Sequence, residues 1–146
     1  MSALVLLLHG PNLNLLGERE PHIYGTDTLD DYVAFTRQHA EAHGFEIEAH
    51  QSNHEGELID HIHRARGRCA AIIINPGAFT HYAWAIHDAL AAFDGPIVEV
   101  HISNPNAREP WRHTSVIAPV ATGSVMGFGK HGYELAVRAV SAKLPS

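Results

Sequence analysis

Tyr24, His81, Glu99 and His101 are the residues of this 146-residue chain best suited to moving protons. His81 and His101 can gain or lose a proton near neutral pH. Asn12, Asn75 and Ser103, with the backbone N–H groups around Gly77-Ala78 and Ile102-Ser103, can hydrogen-bond hydroxyls and a carboxylate. Arg19, Arg108 and Arg112 supply positive charge. Tyr24 follows Arg19 by five positions, a separation that allows phenol and guanidinium to meet in a folded loop without requiring it. Glu99 stands inside an apolar run, where a carboxylate needs a partner. His101, two positions on, faces the same side of a strand. Glu99 could orient and charge-stabilise it, or the two could form a purely structural pair.

Other chemistries lack their residues. There is no Gly-x-Ser-x-Gly, and the lone Cys69 opens an apolar run. The only lysines, Lys130 and Lys143, stand away from the expected crevice, so a Schiff base has poor candidates. Neither a Walker A loop nor Gly-x-Gly-x-x-Gly follows the first strand, so a dinucleotide has no cradle of the usual type. Acid–base chemistry on a small, polyhydroxylated, anionic molecule remains. Each residue alone also has a structural reading. Asn12 and Asn14 after Gly-Pro can make a turn, Tyr24 before Gly25 can be packing, and Asn75-Pro-Gly is a common turn. The argument for a site is that all of them converge on one place.

That place follows from the elements. Ala3–Leu8 reads as a buried strand, and the long stretch His9–Tyr24 follows it. Connections this long inside a compact α/β unit are usually functional, and Leu13, Leu15, Leu16 and Ile23 make this one unlike a disordered linker. Thr28 or Asp30 caps a helix that Gly44 stops. Phe45–His50 alternates with period two, which marks an edge strand. A helix over 55–66 leads to the continuous apolar run Cys69–Ile74, a central strand. The loop Asn75–His81, a helix over 82–92 and a strand Ile97–Ile102 come next. After the polar segment 103–113, a short fifth strand is predicted near Val116–Ala118, reaching toward Val120, before a final helix over 133–143. Strands and helices alternate without repeats or an internal linker. The pattern predicts one α/β domain over 1–146 with a parallel sheet in the flavodoxin-like order 2-1-3-4-5. In such sheets the ligand crevice lies beyond the strand ends where the order reverses, here between strands 1 and 3. The two unusual loops meet there, with Glu99 and His101 next door.

Composition narrows the partners. Hydrophobic residues make up 45% and charged residues 18%, within globular norms. The net charge of −6 disfavours nonspecific binding to nucleic acid or an anionic membrane. The 13 histidines are scattered, with His61 and His63 the tightest pair outside the motifs, and this is not a metal-site pattern. A single cysteine excludes an intramolecular disulfide and fits a reducing compartment. The N-terminal apolar run is too short for a signal peptide or a membrane span. A cytoplasmic protein is expected.

Taken together, the motifs resemble those of type II 3-dehydroquinate dehydratase. They are Gly-Pro-Asn-Leu-Asn-Leu-Leu-Gly-x-Arg-x-Pro-x-x-Tyr-Gly (10–25), Asn-Pro-Gly-Ala-x-x-His (75–81), Glu-Val-His-Ile-Ser-Asn (99–104), Arg-Glu-x-x-Arg-His-x-Ser (108–115) and Gly-Phe-Gly-x-x-Gly-Tyr-x-Leu-Ala (127–136). The resemblance spans nearly the whole chain and implies dehydration of 3-dehydroquinate to 3-dehydroshikimate, an anti elimination through an enolate, without cofactor or metal. The reaction would serve the shikimate pathway or quinate breakdown. By position, Tyr24 would be the base that removes the C2 proton, with Arg19 its partner in a lid over about 18–27. Asn12 would stabilise the enolate. His101, supported by Glu99, would protonate the departing C1 hydroxyl. Asn75, His81 and Arg112 would bind substrate hydroxyls, and the Gly77-Ala78 turn would line the subsite. Ile102 and Ser103 would hold the carboxylate. Asp88 would reach the site of a neighbouring subunit in a dodecamer built as a tetramer of trimers. His9 departs from the Asn of many members, and Phe79 from their Tyr.

A phenol ordinarily ionises around pH 10, so base chemistry near neutrality asks for about 4 kcal/mol of phenolate stabilisation. Burial works the wrong way, so cations must supply it. Arg19 is the first candidate; Arg108 or Arg112 is the second. The rival reading is a non-catalytic flavodoxin-like module that binds a small polyhydroxylated carboxylate. Phosphoacceptor or flavin-binding roles would need acidic residues or a Ser/Thr/Gly-rich loop after the first strand, and His9-Gly10-Pro11-Asn12 stands there.

Overall fold

The computed structural model describes residues 2–144. Strands β1 Ala3–His9, β2 Phe45–Gln51, β3 Ala71–Asn75, β4 Ile97–His101 and β5 Gly123–Met126 form one sheet in the order β2-β1-β3-β4-β5. Every neighbouring pair is parallel. This is the flavodoxin-like order that the sequence predicts. The helices are α1 Pro21–Tyr24, α2 Leu29–Ala42, α3 Glu55–Ala65, α4 Trp84–Ala91 and α5 His131–Lys143.

Strand alternation divides the core. Val5, Leu7 and Ile73 face Tyr32, Ala40, Tyr133, Val137 and Val140 of α2 and α5. Leu6, Leu8, Ile72 and Ile74 face Leu58, Ile62, Ile86 and Leu90 of α3 and α4. Burying each such Leu or Ile contributes about 1.5–3 kcal/mol. The continuous apolar runs of β1 and β3 therefore fix the centre of the sheet. β2, exposed at Glu46 and only partly covered from Glu48 onward, is the expected edge.

The fifth strand is not where the sequence places it. Residues 114–118 spend their backbone groups elsewhere: Val116 N–H donates to Thr80 O at 2.7 Å, His81 Nδ1 donates to Thr114 O at 2.7 Å, and His87 Nδ1 donates to Val116 O at 2.6 Å. Val116 and Ile117 are buried because this segment plugs the loop after β3. Ala118–Val120 is a 3-10 turn. β5 instead begins at Gly123, paired with Val98. Cys69 lies before β3, buried, and burial pushes its thiol up. The long connection after β1 is ordered into a 3-10 turn, Leu13–Leu15, and the single helical turn α1.

Candidate active site

The two loops at the reversal of strand order touch backbone to backbone. Gly10 N–H donates to Asn75 O at 2.8 Å. A Cβ on Gly10 would lie 2.1 Å from Pro76 O, so only glycine fits. Gly77 has φ +58°, and a Cβ there would come within 3.1 Å of Pro11 O. With the end of β4, these loops enclose a cavity of about 270 Å³. Asn12, Arg19 and Tyr24 line it from the first loop; Asn75, Gly77, Ala78 and His81 line it from the second. His101, Ile102, Ser103 and Arg112 complete the sequence-predicted set, and Arg108 and Trp111 join them. Two predicted residues lie outside this lining. Glu99 sits behind His101, and Asp88 is on the exposed side of α4.

The β4 wall carries a buried carboxylate–imidazole pair. Glu99 is 1% exposed, and its Oε2 lies 2.5 Å from His101 Nε2. Thr80 donates to the same carboxylate, and Ser115 Oγ reaches both oxygens at 3.0 and 3.1 Å. Burial pushes the Glu99 carboxyl up, but the hydrogen bond and charge of His101, with Thr80 and Ser115, outweigh it and hold it below the usual carboxylate range. Glu99 therefore fixes the His101 tautomer, with Nε2–H toward the carboxylate. Nδ1 has no protein partner among the described residues and is the nitrogen left for a molecule in the cavity.

The opposite wall holds the phenol. Arg108 Nη1 donates to Tyr24 Oη at 2.8 Å and to Ser103 Oγ at 3.2 Å. The guanidinium carbons of Arg19 and Arg108 each lie 5.6 Å from the centre of the Tyr24 ring. Sequence spacing ranks Arg19 first as the partner of Tyr24. The structure gives the hydroxyl to Arg108, 84 positions away, and leaves Arg19 against the ring. Glu20 reaches both guanidinium groups, at 3.7 Å from Arg19 and 3.8 Å from Arg108.

The remaining polar groups have defined roles. His81 gives its Nδ1–H to Thr114 O, which leaves Nε2 as an acceptor, and burial pushes its pKa down. Asn75 Oδ1 accepts from Gly77 N–H at 3.2 Å, so that N–H is not available to a substrate as the sequence alone allows. Among the described residues, the N–H groups of Ile102 and Ser103 have no hydrogen-bond partner. Arg112 is tied to Glu109 at 2.9 Å and lies 4.0 Å from the Trp111 ring centre. Asn12 does not use its side chain to cap the turn that follows it. Thr80, Ser115 and Trp111 escape sequence reasoning. The one usable signal is that a buried Glu99 needs more partners than one histidine supplies.

A family model described as Dehydroquinase class II matches residues 3–141. The chain is 56% identical over 137 residues to 3-dehydroquinate dehydratase 2 of Pseudomonas putida, covering 94% of this chain and 92% of that one. It is 55% identical over 141 residues to a catabolic 3-dehydroquinase of Aspergillus clavatus, covering 97% and 94%. The crystal structure of type II dehydroquinase from Propionibacterium acnes superimposes with a TM-score of 0.94 at 43% identity, covering 98% of this chain and 99% of that one. With the family model matched over residues 3–141, more than half of the positions identical to curated relatives covered nearly end to end, and the fold shared, the chain belongs to the class II dehydroquinase family.

Proposed function

We propose that this protein is a hydro-lyase that dehydrates 3-dehydroquinate to 3-dehydroshikimate. One observation carries the reading: an arginine-bound phenol and a carboxylate-bound imidazole line the same small polar cavity. A module that only binds has no need of that pairing. The names of the relatives support the same substrate.

In this reading Tyr24, as phenolate stabilised by Arg108 and Arg19, takes a proton from C2. The electron pair of the broken C–H bond moves into an enolate, which Asn12 hydrogen-bonds. His101 then gives the Nδ1 proton to the C1 hydroxyl. The C1–O bond breaks, the C1=C2 bond forms, and water leaves. The returning proton on Tyr24 and the lost one on His101 balance through solvent. Glu99 stabilises the imidazolium between turnovers. Ile102 and Ser103 N–H groups bind the carboxylate. His81 Nε2 accepts from a substrate hydroxyl, and Asn75 and Arg112 contact the others.

Residues 18–27 serve as the lid. The close approach of Gly17 to Thr26 O, 2.9 Å from an added Cβ, supports this, because it brings the ends of the segment together as in an Ω-loop. The whole of 1–146 is then one catalytic domain, working in the cytoplasm without cofactor. Asp88 faces away from its own cavity beside Tyr82 and Trp84, which are 58% and 61% exposed. That surface supports a homo-oligomer, read here as a dodecamer built as a tetramer of trimers. The reaction fits either the shikimate pathway or quinate catabolism.

The test is the near-ultraviolet absorbance of 3-dehydroquinate mixed with pure protein, EDTA and no cofactor. The product's double bond is conjugated with its carboxylate, so absorbance should rise. No rise with folded protein contradicts the proposal.

A further inference from the structure

Tyr133 lies in α5, behind the sheet, and is fully buried. Its hydroxyl meets groups from the ends of both central strands. Asn75 Nδ2 donates to it at 3.1 Å, and His9 Nε2 lies 2.9 Å away, with the two rings stacked at 5.6 Å between centroids. The direction of each bond follows from its neighbours. Gly77 N–H occupies Asn75 Oδ1, so Nδ2 must be the atom turned to Tyr133. The Tyr133 oxygen is then an acceptor, and among the described residues the one acceptor left for its own proton is His9 Nε2, which we read as taking it. That requires a neutral His9, and burial holds its pKa at about 3. His9 therefore carries its hydrogen on Nδ1, which is buried and has no partner among the described residues. An unpaired buried N–H is unusual enough to need a reason. Here the reason is the acceptor that His9 offers to Tyr133.

The consequence falls on Asn75, which lines the cavity while only 2% exposed. Two of its hydrogen-bonding positions are taken from below. One Nδ2–H and one Oδ1 lone pair remain for a bound molecule. The same tyrosine packs edge-on against Tyr32 at 5.3 Å, and the Tyr32 hydroxyl donates to Tyr24 O at 3.3 Å.

We infer that Tyr133, with His9 as its acceptor, is a positioning residue for substrate recognition: it locks the Asn75 amide so that its second N–H is presented to a substrate hydroxyl oxygen. The inference rests on reading the cavity as the 3-dehydroquinate site.

The experiment is a double-mutant cycle in steady-state kinetics with 3-dehydroquinate, using wild type, Y133F, N75A and the double variant. Y133F should raise KM about tenfold while kcat stays within about threefold. In the N75A background it should change KM no further. A Y133F variant with wild-type KM, or with the same KM rise in both backgrounds, overturns the inference. Should Y133F fail to fold, H9F and H9N carry the test. H9F keeps a ring but no acceptor and should raise KM; H9N restores an amide oxygen and should lower KM back toward wild type. Equal KM for H9F, H9N and wild type overturns the inference. A wild-type protein without turnover overturns the reaction reading and this inference with it. Normal turnover with an unmoved Y133F overturns this inference alone.

Discussion

Asn75, Glu99 and His101 on one wall of the cavity are 2%, 1% and 8% exposed, whereas the side chains of Arg19 and Glu20 on the other are 37% and 39% exposed. The strand-end wall is held by hydrogen bonds onto the buried Glu99, from buried Thr80 and His101 and from partly buried Ser115. The lid wall is held by one short hydrogen bond, Arg108 to Tyr24 at 2.8 Å, by ion pairs at 3.7 and 3.8 Å, and by left-handed backbone at Asn12 (φ 70°) and Glu20 (φ 45°). Left-handed backbone costs about 1–2 kcal/mol for Glu20, while asparagine adopts it more readily. One wall is therefore preorganised by burial, with dipoles that need no reorganisation during reaction. The other keeps Arg19 partly solvated, its side chain 37% exposed against 14% for Arg108, which suits the proposed lid. The proposed acid and base thus differ in mechanical setting as well as in chemistry.

The sharpest way to break this division is Y24F. The phenol is the lid's only proton-transfer group in the proposed reaction, so kcat should fall about 10²- to 10⁴-fold. Ligand binding by calorimetry should stay near wild type. R108A comes next, with a loss of about 10²-fold in kcat and a shift of the activating limb of the kcat–pH profile to higher pH, since the cation on Tyr24 Oη is gone. R19A should lower kcat less, by about tenfold, because that guanidinium meets the ring and not the hydroxyl. R19A exceeding R108A in kinetics would reverse the assignment.

E99Q tests the buried wall. It should lower kcat about tenfold or more, through loss of the imidazolium partner, while KM moves little. The last test is on stability. Burial depresses the His9 pKa to about 3. Below about pH 6.5 the unfolded chain takes up a proton that the folded chain refuses, so stability falls as pH drops from there toward pH 3, by up to about 1.4 kcal/mol per pH unit. Glu99 adds to this as pH falls through the ordinary carboxylate range toward its depressed pKa, because the unfolded carboxyl takes up its proton first. Chemical denaturation of wild type and H9N between pH 7 and pH 4 should show the shallower decline in H9N; parallel curves would remove His9 as the cause.

The same contrast explains what the sequence discloses. β1 and β3 are legible because short continuous apolar runs bounded by turn residues read as strands covered on both faces, and β4 because Ile97, Val98 and Val100 are β-branched. Glu99 and His101 are legible because a charge inside such a run demands a partner. β5 is misplaced because Val116 and Ile117 carry the stronger apolar signal yet belong to a plug over the β3 loop, while Gly123–Met126 is short and half exposed. Arg108 is ranked below Arg19 because local spacing favours a neighbour five positions away over a contact spanning 84. Tyr133 is invisible as a site-supporting residue for the same reason. Nothing local connects α5 with Asn75 until the sheet brings them together.

Proton exchange at C2 of 3-dehydroquinate in D₂O, followed by NMR, tests the division between lid base and strand-end acid most directly. With H101A, one C2 proton signal should disappear while little product forms, because Tyr24 still removes the proton and no acid expels the hydroxyl. With Y24F, neither exchange nor product should appear above the uncatalysed rate. Enzyme-dependent exchange that persists in Y24F would contradict the account, and the base would have to be sought elsewhere in the cavity.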